Sequence, residues 1–454
     1  MPDSLPVREL YCPSHFGNSY EVALPREMGE LLSEARFWGF NRFADWFDTI
    51  DLYDVYRGPH RLYNMPEAMW ERKFSNFTVA DKLGLDLSLV ITPNHVFSDQ
   101  VTPENEAVKG EHVFGQLVCP SKPGVTEMIV RNYRNLFEDF ARRGLKLRSL
   151  EACPYDYGGC DCDACKPWIV AFGKLYREIA LTAREVFGEI EAGLIGWWWS
   201  DDDHKAFTEW AEREAPGFFP SFAHYILYGS TSYTQRPIPQ GTRDRAFVHI
   251  GYGEKRGLDV YGHWGAPIAP TRIETTVREL FARGAEGYCA YSEGICDDVN
   301  KALLAGLSSG QYANADEVLQ AYAQRYLGSD TEGWAQWLRS MGDVSSVDPA
   351  EARKLFDRLA QGASPDWRLE QLDLRLVMTE ADAEVRRHTA WDSERLAAAE
   401  RFWAAKERLY RWVWRLGLLR HIFRFEMNAP DWYADYLQAK GQRDAAETKI
   451  RPDA

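Results

Sequence analysis

Strand-like and helix-like stretches alternate along the first 310 residues, and that alternation leaves few folds open to the chain. Residues 7–15 alternate apolar and polar and end in Pro13-Ser14-His15, which reads as a first strand. Residues 25–38 set Met28, Leu31, Leu32 and Ala35 near a 3.6-residue period, with Pro25 in the first turn and Gly39 as the stop. Residues 40–47 form the second expected strand, 67–83 a helix closed by Gly84, and 85–93 a third strand running into Asn94-His95. A polar stretch, 98–115, is expected to loop over the end of that strand. Helices follow at 126–143, closed by Gly144, and at 171–187, on either side of a fourth strand at 147–152. The fifth strand, 192–199, ends in three tryptophans and the acids Asp201, Asp202 and Asp203, before a helix at 205–213. The sixth is 222–228, the seventh either 246–252 or 260–264, and the eighth 287–291, after a helix at 272–283 stopped by Gly284.

Alternating strands and helices without an antiparallel meander imply an α/β fold with a parallel sheet. Eight such units in this length favour a closed (β/α)8 TIM barrel over an open doubly wound sheet. No glycine-rich nucleotide fingerprint follows the first strand, and no phosphate-binding loop motif occurs. After Gly310 only helical periodicity remains, so residues 1–310 are expected to form the barrel and 311–440 a C-terminal α-helical region. Asn314 with Glu317, and Asp348 with Glu351, pair an N-cap with an acid at the third helical position. Ser393 is expected to cap a helix over 394–423, whose apolar face would pack on the barrel or on a second subunit, making a homo-oligomer. The polar end, 441–454, reads as disordered.

With 454 residues and 45% apolar content the chain can bury a large core. It contains no apolar run near the roughly 20 residues of a membrane span. The opening Met-Pro-Asp-Ser-Leu-Pro-Val-Arg-Glu-Leu has no charged and then apolar leader pattern, so a cytoplasmic location is expected. A net charge of −15 argues against nucleic acid and anionic membrane as partners. Seventeen tryptophans and 22 tyrosines are an unusual number, and most of them must fill a large aromatic core. Flat aromatic faces suit the C–H faces of pyranose rings, which turns attention to carbohydrate.

In a (β/α)8 barrel, chemistry sits at the C-terminal ends of the strands. Glycosidic cleavage needs two carboxyl groups flanking the bond, one protonated and one ionised. Asp156 and Glu293 are the best pair: each follows a strand, lies close to a glycine and stands behind a tyrosine, Tyr155 or Tyr291. Asp202 is a third catalytic candidate. Ends of the fourth and eighth strands lie across the mouth from each other, which favours a wide carboxyl gap and inversion of the anomeric centre. Candidate substrate-binding residues are His15, Asn41, Arg42, Trp46, Asn94, His95, Tyr155, Trp198, Trp199, Asp203, His204, His263, Trp264 and Tyr291. Any single strand-end acid could instead cap the following helix.

Four cysteines crowd the fourth strand end: Cys153, Cys160, Cys162 and Cys165. Four thiolates would suit a structural Zn2+, whose closed coordination would brace the loop and do no chemistry. A reduced cluster, with Cys153 buried in its strand, and a redox site are the other readings. No cofactor is required for the chemistry itself.

These features together resemble bacterial barrel glycoside hydrolases. The residues that carry the likeness are Pro154-Tyr-Asp-Tyr-Gly-Gly-Cys160-x-Cys162-x2-Cys165 before Lys166-Pro167-Trp168, Pro93-Asn94-His95, the three tryptophans before acids, and Tyr291-Ser292-Glu293-Gly294. The similar families are glycoside hydrolase family 20 hexosaminidases, family 67 α-glucuronidases and barrel proteins with a Gly-Gly-Cys-x-Cys-x2-Cys loop. The resemblance implies a catalytic acid after the fourth strand, at Asp156. Tyr157 stands where the hexosaminidases carry a glutamate, so acetamide-assisted retention does not transfer and the α-glucuronidase layout fits better. The expectation is an exo-acting glycoside hydrolase on an oligosaccharide or small glycoside. Its rivals are a metal-dependent sugar isomerase or epimerase on the same barrel, and a carbohydrate-binding protein without turnover.

Overall fold

The computed structural model describes residues 4–15, 17–50, 52–57, 65–109, 117–155, 158–227, 229–254, 266–343, 346–413 and 429–450. Eight strands, β1 (Val7–Tyr11), β2 (Arg42–Trp46), β3 (Asp86–Ile91), β4 (Leu147–Ala152), β5 (Glu191–Ile195), β6 (Ser221–Ile226), β7 (Arg243–His249) and β8 (Gly287–Tyr291), follow one another around a closed barrel. Every pair is parallel, and β8 returns to β1 with Val7 opposite Gly287 and Tyr11 opposite Tyr291. This is a (β/α)8 barrel. Of the two stretches offered for the seventh strand, the first lies in the sheet; 260–264 falls outside the described residues. Among the described residues the β6–β7 connection carries no helix, so the alternation is broken once.

Strand parity sorts each side chain. On β3, Leu87, Leu89 and Ile91 face the surrounding helices, while Ser88 and Val90 face the barrel interior. Leu87 pairs with Leu147 but Ser88 with Ser149, so Arg148 is an extra residue in β4. That bulge resets the parity, turning Ser149, Glu151 and Cys153 inward. The outer layer is held by aromatic interdigitation. Phe47, Phe74, Phe77 and Phe140 meet between β2 and the helices Met65–Lys82 and Val125–Arg142, with centroid separations of 4.9–5.9 Å. Such contacts add about 0.5–1.5 kcal/mol per pair beyond the area they bury.

The helix Pro25–Trp38 has the expected bounds and ends at Gly39, whose φ of 118° is one a side chain rarely adopts. Asn314 and Asp348 cap their helices through side-chain oxygens. Ser393 is instead the first residue of its helix, Ser393–Val413; Asp392 is the cap, accepting from the Arg395 N–H at 2.9 Å. The C-terminal helices up to the first part of Trp367–Arg387 share one hydrophobic core with the barrel's outer helices, from Leu32 through Leu303 and Trp334 to Leu376, while the last two described helices form a separate core around Phe402 and Trp432. Trp38 stacks on Tyr322 and donates to the Tyr326 hydroxyl at 3.0 Å. The last described helix, Tyr433–Ile450, runs into the stretch 441–454 expected to be disordered, of which 451–454 lie outside the described residues. Its Gln, Arg, Glu and Lys residues are polar but, like its alanines, good helix formers, so low hydrophobicity there does not mean loss of helix. No helix among the described residues is long and apolar enough to cross a membrane.

Candidate active site

The interior changes character from floor to mouth. At the floor, Arg42 lies 3.3 Å from Glu191 and donates to Ser149 at 3.1 Å, and Ser149 donates to Ser88 at 2.8 Å. Arg245 reaches Glu286 at 2.6 Å, Glu191 at 3.2 Å and Glu151 at 3.3 Å. Glu151 fits because residue 193 is glycine: a Cβ there would stand 2.0 Å from Glu151 Oε2. Burial pushes the Glu151 carboxyl up to about 8, against the pull of Arg245. Burial also opposes ionisation of Glu191, but Arg42 and Arg245 hold it below its ordinary value.

This corrects two substrate-binding expectations. Arg42 opens β2 at the N-terminal end of the barrel, opposite the mouth, and is buried in the ion-pair floor. Asn41 precedes it, accepting from the Arg8 N–H at 2.9 Å and donating to the Pro6 carbonyl at 2.8 Å. Reading the second strand from residue 40 to 47 identified the strand but not which end these side chains occupy.

At the mouth, strand ends and the loops beyond them build an aromatic bowl. Tyr11 meets Tyr291 edge-on at 5.5 Å, and Tyr291 meets His249 at 4.6 Å. His249 lies 4.8 Å from Trp197, which touches Tyr225 at 4.8 Å and Tyr155 at 6.1 Å. Tyr155 stacks on Trp46 at 4.7 Å, and its hydroxyl meets that of Tyr11. His15 stands edge-on to Trp46 at 5.7 Å, and His95 lies 6.1 Å from the same ring. His95 Nδ1 is 3.6 Å from Asp48 Oδ1. Asn94 is buried beside His95 in the chain. Two non-glycine residues of the bowl, Tyr155 and Trp198, have left-handed backbones at φ 50° and 57°. Such positions cost free energy and concentrate at functional sites.

Glu293 follows β8 on a turn pinned from behind. Ser292 N–H donates to the Tyr11 carbonyl at 2.9 Å, and Ser292 Oγ donates to Asp297 at 2.7 Å. Tyr20 meets Ser292 Oγ and donates to the Gly294 carbonyl at 2.8 Å; Lys301 donates to that carbonyl at 3.0 Å and pairs with Asp297 at 2.5 Å. Burial works to lower the Lys301 pKa, but Asp297 beside it raises it overall, so the ammonium stays charged. From the other side, Val413 would lie 3.0 Å from a Cβ at Gly294, so the helix Ser393–Val413 abuts the same turn. Glu293 itself is only 7% exposed.

Several expected residues therefore meet: His15, Trp46, His95, Tyr155 and Tyr291 join one ring cluster, and Trp198 lies 6.0 Å from Trp197 and 5.9 Å from Tyr225, while Asn94 and Glu293 are buried at the ends of β3 and β8. Others do not. Trp199 faces outward into the core between β6 and the helices, 5.0 Å from Phe222 and 5.1 Å from Phe207. His204 packs beside it, stacks on His224 at 5.6 Å and approaches the Pro237 carbonyl at 3.2 Å; burial lowers its pKa to about 4. Asp203 closes the capping box of the helix Asp201–Glu214, accepting from Ser200 N–H at 2.9 Å and Ser200 Oγ at 2.7 Å. Asp202 is exposed on that first turn, where a carboxylate suits the helix dipole. Asp156, His263 and Trp264 lie outside the described residues.

Tyr11, Trp197, Tyr225 and His249 were missed. Parity would have found Trp197, which follows the inward Ile195; Trp199 leaves that face because β5 ends at Ile195 and the left-handed backbone of Trp198, φ 57°, breaks the alternation. Parity also separates the cysteines. Cys153 continues the inward series Ser149, Glu151, and its N–H donates to the Ile91 carbonyl at 2.9 Å, so it is a barrel-lining residue. It does not join the other three. Cys119, from the loop before the helix Val125–Arg142, takes that place, and the Sγ atoms of Cys119, Cys160, Cys162 and Cys165 all lie within 4.8 Å of one another.

The fold and mouth thus define a (β/α)8 protein with a buried cluster of aromatic rings and histidines at the strand ends and a buried glutamate, Glu293, just beyond β8. No protein-family model and no curated protein matches the chain. Among solved structures, an O-GlcNAc hydrolase variant from Thermobaculum terrenum is similar at 12% identity and a TM-score of 0.49, covering 98% of this chain and 89% of that one. A glycoside hydrolase family 20 module of a pneumococcal exo-β-D-N-acetylglucosaminidase is similar at 10% identity and 0.42, covering 79% and 99%. An α-L-fucosidase from Lactobacillus casei is similar at 11% identity and 0.38, covering 66% and 94%.

Proposed function

We propose that the protein is a glycoside hydrolase, exo-acting on an oligosaccharide or small glycoside, with Glu293 as one of its two catalytic carboxyl groups. The observation that carries this reading is the mouth itself: Glu293 stands on a braced turn beside a bowl of Tyr11, Trp46, Tyr155, Trp197, Tyr225 and Tyr291. Aromatic faces would hold the apolar faces of a sugar, and His15, Asn94, His95 and His249 would bind its hydroxyls. The braced turn keeps the carboxyl in place through a reaction whose rate depends on its position. Asp156 is the proposed partner acid. A carboxyl gap on the order of 6.5–9.5 Å would leave room for water and invert the anomeric centre, whereas roughly 5 Å would give a covalent intermediate and retention.

The test is a panel of aryl glycosides that includes uronides, followed by Glu293→Gln on whichever substrate turns over. The amide variant should lose turnover by a factor on the order of a thousand or more with unchanged thermal stability. Azide rescue of Glu293→Gln would assign it as base or nucleophile, and retained activity on a substrate with a good leaving group would assign it as the acid. NMR of the first-formed product would give the anomeric outcome. Sugar binding without turnover across the panel would refute the hydrolase reading, and activity abolished by chelators would favour a metal-dependent isomerase or epimerase.

A further inference from the structure

We propose that Cys119, Cys160, Cys162 and Cys165 bind one Zn2+ as four thiolates, and that this metal ties the β3-side loop to the β4-side loop at the rim of the mouth. Cys119 Sγ lies 3.7 Å from Cys162 Sγ and 3.7 Å from Cys165 Sγ. Four sulfurs about 2.3 Å from a central Zn2+ in a tetrahedron are separated by about 3.8 Å along each edge. A disulfide would need roughly 2 Å, and all four cysteines are free thiols. The cluster is therefore spaced as a ligand shell rather than as a bond.

Each thiol is delivered by backbone structure. Cys162 and Cys165 face one side because the Cys165 N–H donates to the Cys162 carbonyl at 2.9 Å, curling the segment into a single 3-10 turn. Cys119 is held by antiparallel pairing in its own loop: its N–H donates to the Asn105 carbonyl at 2.8 Å, next to the Glu106–Val118 bridge. The two loops meet directly, since the Asp161 N–H donates to the Val108 carbonyl at 2.9 Å.

Polar groups line the shell and point at the sulfurs. The Val108 N–H donates to Cys160 Sγ at 3.3 Å, and Ser121 Oγ stands 2.9 Å from Cys119 Sγ and 3.6 Å from Cys162 Sγ. Donors of this kind spread the charge of a metal-bound sulfur and orient it. Binding releases four protons and leaves a closed tetrathiolate site with no position for substrate, so the metal is structural. Its neighbours give it consequence: Cys160 and Cys165 pack in the same cluster as Tyr155 and Trp46. The metal would thus help to fix the strained Tyr155.

The assignment does not depend on the glycosidase reading, because its readout is metal content. The full chain, purified under reducing conditions from zinc-supplemented cells, should carry about one zinc per chain by elemental analysis. Cys153→Ser should keep that equivalent, while Cys119→Ser and Cys162→Ser should lose it. Cobalt exchanged into the wild-type chain should show the visible absorption and thiolate charge-transfer bands of a tetrahedral tetrathiolate site. The cobalt spectrum decides the matter even if the serine variants fail to fold. Zinc-free wild-type protein, loss of metal on Cys153→Ser with retention on Cys119→Ser, or a cobalt spectrum of fewer than four thiolates would each overturn the proposal.

Discussion

Replacing Glu151 with glutamine should make the protein more stable at pH 8 and leave it unchanged near pH 4. Glu151 is wholly enclosed among Arg245, Arg42, Glu9 and Glu191, and burial raises its pKa from 4.5 to about 8. The sign follows from linkage. Below pH 4.5 the carboxyl is protonated in both folded and unfolded chains, and its contribution is fully present. Between pH 4.5 and about 8 the unfolded chain gives up that proton while the folded chain keeps it, so stability is lost as pH rises. The slope is about 1.4 kcal/mol per pH unit, which amounts to a loss on the order of 3–5 kcal/mol across the window. Glutamine matches the protonated carboxyl in shape and offers Arg245 the same oxygen, now 3.3 Å away. Glu191 and Glu286 still satisfy the rest of the guanidinium. Urea unfolding of both proteins at half-unit steps from pH 4.5 to 8.5, read as the difference between them, cancels every other titrating group. Curves that coincide at the acid end and separate steadily toward pH 8 are expected. A variant less stable than wild type by about 3–5 kcal/mol at pH 8 would mean that Glu151 is ionised and paired with Arg245, and would refute the argument.

Gly193→Ala forces a Cβ to 2.0 Å from Glu151 Oε2 and 2.5 Å from its Cδ, and should cost at least about 1–3 kcal/mol in denaturant unfolding, with much of the loss recovered in the Gly193→Ala/Glu151→Ala double variant. Lys301→Met leaves Asp297 buried without its cation at 2.5 Å, and should lower stability by roughly 3–5 kcal/mol, seen as a fall in the urea midpoint. Trp197→Ala and Trp199→Ala should separate binding from folding. The first removes the ring that touches Tyr225 and His249 and should raise KM for any glycoside that turns over; the second should cost about 3–5 kcal/mol of stability with little change in KM.

The barrel was readable in the sequence because its signals are local. A helix that ends on a glycine needs only its own last turn, and Pro25–Trp38 falls where its proline, apolar spacing and Gly39 put it. What a side chain faces is not local in the same way. Trp197 and Trp199 are equal as letters and share a strand parity; they separate because the strand ends at Ile195 and the left-handed backbone at Trp198 turns the chain between them. Arg42 looked like a strand-end ligand until the direction of β2 placed it at the floor. Cys119 lies 43 residues before Cys162, and no spacing rule links them until two loops fold against each other. Cys153 is close in sequence to the other three but continues an inward strand series. The polar end of the chain misled for a different reason: hydropathy measures burial, whereas helix formation there follows residue propensity.

The charged floor and the aromatic mouth also explain one another. Barrel interiors are usually filled by branched apolar side chains, and a buried ion network is a weak source of stability beside them. Here the floor contributes definition of register. Arg245 must meet Glu151, Glu191 and Glu286 at once, and Glu151 can occupy its place only opposite Gly193. A one-residue slip of β4 along β5 would drive the carboxyl into a side chain and turn every β4 residue to the other face. Stability is supplied outside, by the continuous core between strands and helices. The interior is thereby free to hold one register, and register decides which rings stand at the rim. Tyr11, Tyr291 and His249 occupy a single level across β1, β8 and β7 because Tyr11 pairs with Tyr291 and Tyr291 with His249. Glu293 is two residues beyond that level, so the floor that fixes the strands also fixes the height at which its turn leaves the barrel.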